Sequence, residues 1–281
     1  MVRPREHGVR FADGSRLVAA ALEALHDSPQ PAEALAHRVF GVRSAPPGLA
    51  ERLVAELFRN DPRVAQSGPG VWRLVEPLPA GSAPLRGLEY AVVDVETTGG
   101  SPERDGRIVE IAVVEVRDSE VTGEFSSLVN PGVPLSPWIT RLTGIEDPML
   151  ESAPSFEELS EAIRRRLEGR VFVAHNAAFD WRFVAAEMLR ARSLLPSGPR
   201  LCTIRMARRA LPGLRRRGLD SIARYYGIPI RNRHRALGDA TATAAVLGCL
   251  LREADRNGIG RWAELQSWLA GGQASSKEPP C

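Results

Sequence analysis

The chain has 281 residues, 43% hydrophobic and 25% charged, with a formal net charge of +3. These values exclude a wholly disordered polymer and fit an ordinary globular protein with room for one large domain and a small one. No apolar run approaches a membrane span, and the opening MVRPREHGVR has no apolar segment behind its charges, so a cytoplasmic protein with no membrane association is expected.

Three cysteines, Cys202, Cys249 and Cys281, are odd in number and far apart, without a CxxC pair. Neither a disulfide framework nor a zinc site is expected from them. Lys277 is the only lysine, so the basic side is nearly all arginine.

In chain order, the first patterns are helical: LVAAALEAL (17–25), PAEALAHRVF (31–40) and GLAERLVAELFRN (48–60). Two short strand-like runs then flank a turn at Ser67-Gly68-Pro69-Gly70. Three helices and a hairpin predict a small winged-helix-like accessory domain over 1–76. Between Phe11 and Glu76 seven arginines face eight acids. A DNA reader normally carries a basic face, so protein contact or structural packing is the favoured role. The stretch EPLPAGSAPLRG (76–87) reads as a linker, placed at 77–87.

From residue 88 the pattern becomes mixed. Strand-like runs at 88–96, 108–116 and 121–129 have short connections that favour antiparallel neighbours. Ser155-Phe156-Glu157-Glu158 has the form of a capping box ahead of an apolar-periodic run to about Leu167. RVFVAHN (170–176) reads as a buried strand leading into the helix AAFDWRFVAAEMLRAR, with further helices at 203–210, 218–226 and 237–255. This predicts a mixed α/β domain over 88–255, followed at 256–281 by a short helix and a flexible tail.

Within the first strand, Val92-Val93-Asp94-Val95-Glu96-Thr97-Thr98-Gly99 puts Asp94 and Glu96 on one face and Val93 and Val95 on the other. By itself the stretch fits an edge strand with a solvated acidic face as well as it fits a site. Three other motifs accompany it: His175-Asn176-Ala177-Ala178-Phe179-Asp180 where a strand gives way to a helix, His234-Arg235-Ala236-Leu237-Gly238-Asp239 at the start of the domain's last helix, and Thr140-Arg141-Leu142-Thr143-Gly144-Ile145.

In this order the motifs resemble those of the DEDDh 3′-to-5′ exonuclease family, which includes the proofreading subunit of bacterial replicative DNA polymerase. The resemblance covers about Leu88 to Arg252. It implies a ribonuclease-H-like mixed sheet with flanking helices and two divalent ions, Mg²⁺ or Mn²⁺. Asp94, Glu96, Asp180 and Asp239 would be the metal-binding acids and His234 the general base. Four clustered carboxylates cannot all stay ionised without cations between them, and in two-metal phosphodiester cleavage the ions sit roughly 3.5 to 4 Å apart. His234 and Asp239 are five residues apart, about 140° on a regular helix, so the histidine is expected on a loop before the helix.

The same resemblance places Thr97, Thr98 and Gly99 at the terminal nucleotide and Leu142 and Thr143 near its base, with His175, Asn176 and Phe179 along the cleft; Phe179 serves the core as well. From Arg200 to Arg235 eleven arginines stand against one acid, Asp220. Such a segment attracts a polyanion. The expected activity is hydrolysis at the 3′ end of single-stranded DNA, releasing nucleoside monophosphates in repair or proofreading. An RNA exonuclease is the alternative, and the third reading is a non-catalytic nucleic-acid-binding regulator that works through the winged helix, with the nuclease domain inert. The final residues RWAELQSWLAGGQASSKEPPC offer little for a polymerase, so any polymerase or repair partner is assigned to the N-terminal domain.

Overall fold

The computed structural model describes residues 8–13, 15–26, 28–44, 46–59, 61, 63–75 and 83–271. The N-terminal part contains strand β1 (Arg10–Asp13), helix α1 (Arg16–Ala24), the two-residue strand β2 (Gln30–Pro31), helices α2 (Ala32–Phe40) and α3 (Leu49–Leu57), and strands β3 (Val64–Gly68) and β4 (Val71–Leu74). Strands β2, β4 and β3 form an antiparallel sheet in that order. Leu22, Leu35, Val54, Phe58 and Trp72 close a core between helices and sheet, and Ser15 caps α1 through the Val18 amide.

Strand β1 does not join that sheet. It pairs antiparallel with β9 (Leu194–Ser197) of the larger domain, and the Val9 amide donates to the Arg170 carbonyl (2.8 Å). Val9 is fully buried in the larger domain's core, so residues 8–13 lock the two parts together although they lie within the stretch assigned to the accessory domain. The linker is also partly structured. Residues 76–82 lie outside the described residues, but Ala83 and Leu85 are buried and tied to the Trp262 amide and Gly260 carbonyl.

The larger domain is built on a five-stranded sheet. Its strands are β5 (Glu89–Thr97), β6 (Ile108–Arg117), β7 (Glu120–Leu128), β8 (Val171–Ala174) and β10 (Arg200–Cys202), in spatial order β10-β8-β5-β6-β7. Strands β5, β6 and β7 are antiparallel, whereas β8 and β10 run parallel to β5. The helices are α4 (Pro137–Thr143), α5 (Asp147–Glu151), α6 (Phe156–Leu167), α7 (Ala177–Arg192), α8 (Thr203–Ala210), α9 (Leu219–Tyr226), α10 (Ala236–Arg256) and α11 (Trp262–Leu269). The capping box on α6 forms as the sequence predicts, with both Ser155 and Glu158 side chains engaged.

Two cores sandwich the sheet. Alternation along β5 sends Tyr90 and Val92 into one with α8 to α11, and Ala91, Val93 and Val95 into the other with α6 and α7. A strand covered on both sides reads as a nearly continuous apolar run, which makes the carboxylates at Asp94 and Glu96 conspicuous. Helix α10 presents Ala236, Ala240, Ala244 and Gly248 among its buried positions. These small side chains let its backbone lie close to β5 and β6.

Candidate active site

Three elements converge at the C-terminal end of β5. The strand supplies Asp94 and Glu96. The first turn of α7 supplies Asp180, 5% exposed, whose Oδ1 accepts the Val95 amide hydrogen at 3.3 Å. The first turn of α10 supplies Asp239, 3% exposed. His234 precedes that helix in a turn with φ of +62°, and its amide donates to Asp239 Oδ2 (3.2 Å). Ligand-bearing atoms of Glu96, His234 and Asp239 lie within 4.8 Å of one another.

The electrostatics are those of acids crowded away from water. Burial, then the charges of Asp180, Asp239 and Glu96, raise Asp94 well above the usual carboxylate range. Glu96 is pushed up to about 8 by burial, with Asp239 and Glu110 adding to it. Burial lifts Asp180 to about 7. Asp239 is also raised by burial, against the pull of Arg233 and of the His234 amide.

This donor set fits divalent cations. All four acids offer hard oxygen ligands. Asp239 Oδ1 is buried and accepts no hydrogen bond among the described residues, a cost that a cation would remove. His234 completes a mixed carboxylate and imidazole group around Glu96 and Asp239.

Comparison with known proteins places the chain in a family. The exonuclease family model, RNase_T, matches residues 91–247, more than half of the chain. The chain belongs to the exonuclease family. A Mycobacterium tuberculosis protein named as a bifunctional exonuclease/endonuclease is 38% identical over 201 residues, covering 68% of this chain and 31% of that protein. The 3′-5′ exonuclease DinG of Bacillus subtilis is 35% identical over 157 residues, 56% of this chain and 17% of that protein. The chain thus spans less than a third of either relative. The nuclease domain of 3′hExo, a DEDDh family member solved with rAMP, matches with a TM-score of 0.51 at 18% identity, over 61% of this chain and 95% of its own. The fold is therefore ribonuclease-H-like, and nucleases of this family use divalent metal ions.

Around the four clustered acids stand residues to which the sequence alone assigned no role. Glu110, on β6 opposite Glu96, is 5% exposed. Its carboxylate accepts from Arg235 Nε (3.1 Å) and NH2 (2.9 Å) and from the Ala236 amide (3.0 Å). It thereby caps the start of α10 and fixes the turn that carries His234. Arg233 bridges Asp239 and Asp220, with Nε 3.0 Å from Asp220 Oδ1. On the other side Glu187, 1% exposed, accepts from Arg107 Nε (2.6 Å), and the Arg107 amide donates to Thr98 Oγ1 (3.0 Å). That chain of contacts ties the Thr97–Gly99 turn to the helix bearing Asp180.

The expected substrate contacts divide into two groups. The Gly99 amide donates to Thr97 Oγ1 (3.2 Å), and Gly99, at φ +92°, packs beside Ile139 of α4. Leu142 on that helix is 37% exposed. Asn176 is exposed at the start of α7. By contrast, Thr143 is buried and its hydroxyl is committed to the Ile139 carbonyl and Ile145 amide. Phe179 packs against Phe183 with the rings tilted and centroids 4.9 Å apart. His175 bonds Thr203 through Nδ1 (2.9 Å), and burial lowers it to about 4, so it is neutral at physiological pH. Of the arginine-rich segment, Arg200, Arg233 and Arg235 are spent on Glu23, on Asp220 and Asp239, and on Glu110. Arg205, Arg208, Arg215, Arg216, Arg224 and Arg231 are exposed.

Proposed function

We propose that this exonuclease removes nucleoside monophosphates one at a time from the 3′ end of single-stranded or frayed DNA, with Mg²⁺ or Mn²⁺ as its ions. The observation that carries the reading is the convergence of Asp94, Glu96, Asp180 and Asp239 with His234 at one end of β5. Asp94 would be the shared ligand, with Glu96 and Asp239 completing one site and Asp180 serving the other. Bound divalent ions supply activation of the attacking water and charge stabilisation at the leaving oxygen. His234, outside the helix and beside Glu96 and Asp239, takes the proton from that water as general base. Arg233 and the Glu110–Arg235 pair hold the turn in which His234 sits. The Thr97–Gly99 turn, Leu142 and Asn176 receive the terminal nucleotide, and the exposed arginines between Arg205 and Arg231 draw in the backbone.

The N-terminal helices and small sheet serve as a winged-helix-like accessory domain that contacts a repair or polymerase partner. Its near-neutral charge supports a protein partner over DNA.

A time course with matched 5′-labelled single-stranded DNA and RNA, in Mg²⁺ or Mn²⁺ with an EDTA control, tests the reading. Ladders shortening by single nucleotides, abolished by EDTA and by Asp94→Ala, are expected. Faster RNA decay would transfer the assignment to RNA, and intact strands with wild type in every metal would refute it.

A further inference from the structure

The described residues expose seven large hydrophobic side chains, and four of them, Val133, Trp138, Leu142 and Met149, fall in the segment that carries α4 and α5. Trp138 is the most exposed, at 63%. Four exposed apolar side chains gathered in one short segment, an indole among them, mark a contact surface more readily than the same residues scattered singly.

Its position on α4 indicates what it contacts. Ile139, the next residue, lies near Gly99 in the turn that directly follows the acidic strand: a Cβ added at Gly99 would be 3.7 Å from Ile139 Cδ1. Helical geometry spreads the neighbours in a fan: Ile139 and Thr143 face inward, Leu142 lies about 60° from Ile139, and Trp138 lies about 40° beyond Leu142. Arg141, exposed, follows about 60° further round. Moving outward from the Gly99 turn, the helix thus presents an aliphatic side chain, an indole and a guanidinium. Trp138 and Leu142 are one turn apart, about 6 Å along the axis. With Leu142 at the terminal base, the indole reaches the position of the next base rather than the same one.

We propose that Trp138 is a stacking subsite for the unpaired base immediately 5′ of the terminal nucleotide, with Arg141 beside it for the adjoining phosphate. The proposal rests on the exonuclease reading above and specifies its substrate: a 3′ tail with at least two unpaired bases. A π-face accepts any base, so the subsite selects single strands over paired ends without selecting sequence. Continuity with the Gly99 turn, and a cation on the same exposed face, favour nucleic acid over a protein as the occupant.

The test compares wild type, Trp138→Ala and Trp138→Phe on a short oligo(dT) and on thymidine 5′-(p-nitrophenyl phosphate), which has no second base. Anisotropy of fluorescein-labelled oligo(dT) in EDTA measures binding separately from chemistry. Trp138→Ala should raise KM and Kd for oligo(dT) roughly 5- to 150-fold, Trp138→Phe should restore most of the loss, and the ester's kcat and KM should not move. Unchanged oligo(dT) KM and Kd in Trp138→Ala would overturn the proposal and leave the face to another partner. An equal loss on the ester would overturn it too, placing Trp138 at the terminal nucleotide. Trp138-dependent binding by a wild type that cleaves neither substrate would uphold the subsite and sink the exonuclease reading.

Discussion

Removing the Glu110 carboxylate is the sharpest probe of how the catalytic turn is held. Glu110 is 5% exposed and takes hydrogen bonds from Arg235 at 2.9 and 3.1 Å and from the Ala236 amide at 3.0 Å. Glu110→Ala strands a half-buried guanidinium and the first amide of α10 in one step. Breaking one side of a fully buried ion pair costs about 3–5 kcal/mol, and because the Arg235 side chain is 36% exposed the cost here falls at or below the low end. A domain in the middle or upper part of the ordinary range, about 5–15 kcal/mol, survives that loss. The consequence for catalysis should be larger than for binding, because His234 and Asp239 lie on either side of Arg235 and Ala236 while the expected nucleotide contacts lie elsewhere. A displacement of 1 Å in reacting groups costs about 10²-fold in rate. The expected result is a roughly 10²-fold fall in kcat with KM within a few fold, read on a small phosphodiester ester, alongside lowered stability in urea. Glu110→Gln keeps the acceptor for Ala236 and should recover part of both. A folded Glu110→Ala with wild-type kcat would refute the positioning argument.

Gly238→Ala tests the same turn from the helix side: an added Cβ would sit 2.0 Å from the Arg231 carbonyl oxygen, so the loop must move, and kcat should fall although alanine is a good helix former. In EDTA, the raised Glu96 (about 8) and Asp180 (about 7) bind more protons in the native state than unfolded. Stability should therefore decline as pH rises from about 4 through about 8, and Mn²⁺ should reverse the decline by binding the ionised acids. Melting curves with and without metal across that range check it, and a flat metal-free profile would contradict it. Deleting residues 1–75 removes Val9 from the larger core and β1 from β9, so the truncated protein should melt lower, whereas a cut retaining residue 8 onward should not.

The four acids and the histidine were legible because their motifs are short and contiguous: Asp94 and Glu96 interrupt an apolar strand, and Asp180 and Asp239 open helices. The long elements were legible for a related reason. Strands β5 to β7 and helices α6 to α10 carry a pattern over enough residues to outweigh local noise, and β8 shows as a short, wholly apolar run. Helix α4, seven residues beginning at Pro137, and β10, three residues at the head of an arginine-rich run, are too short for a period to show. Strand β1 was hidden because its partner, β9, lies in another domain.

Glu110 and Arg235 escaped for a different reason. Each has an unremarkable local context, one of two acids in the run IVEIAVVEV and one arginine among eleven. Their meaning arises only when β6 is registered on β5, setting Glu110 opposite Glu96, and when the loop before α10 returns from 125 residues away. A buried like-charged pair across a ladder is unfavourable unless each member has its own partner. Glu110 takes Arg235 and the helix amide, which leaves Glu96 for the cluster with His234 and Asp239. The cross-strand pair therefore divides one acidic surface into a clamp and a ligand, and exchanging Glu110 with Arg235 should not restore what Glu110→Ala loses, because the arginine cannot accept the Ala236 hydrogen. A Glu110→Arg, Arg235→Glu double variant with full activity would show that charge pairing alone holds the turn.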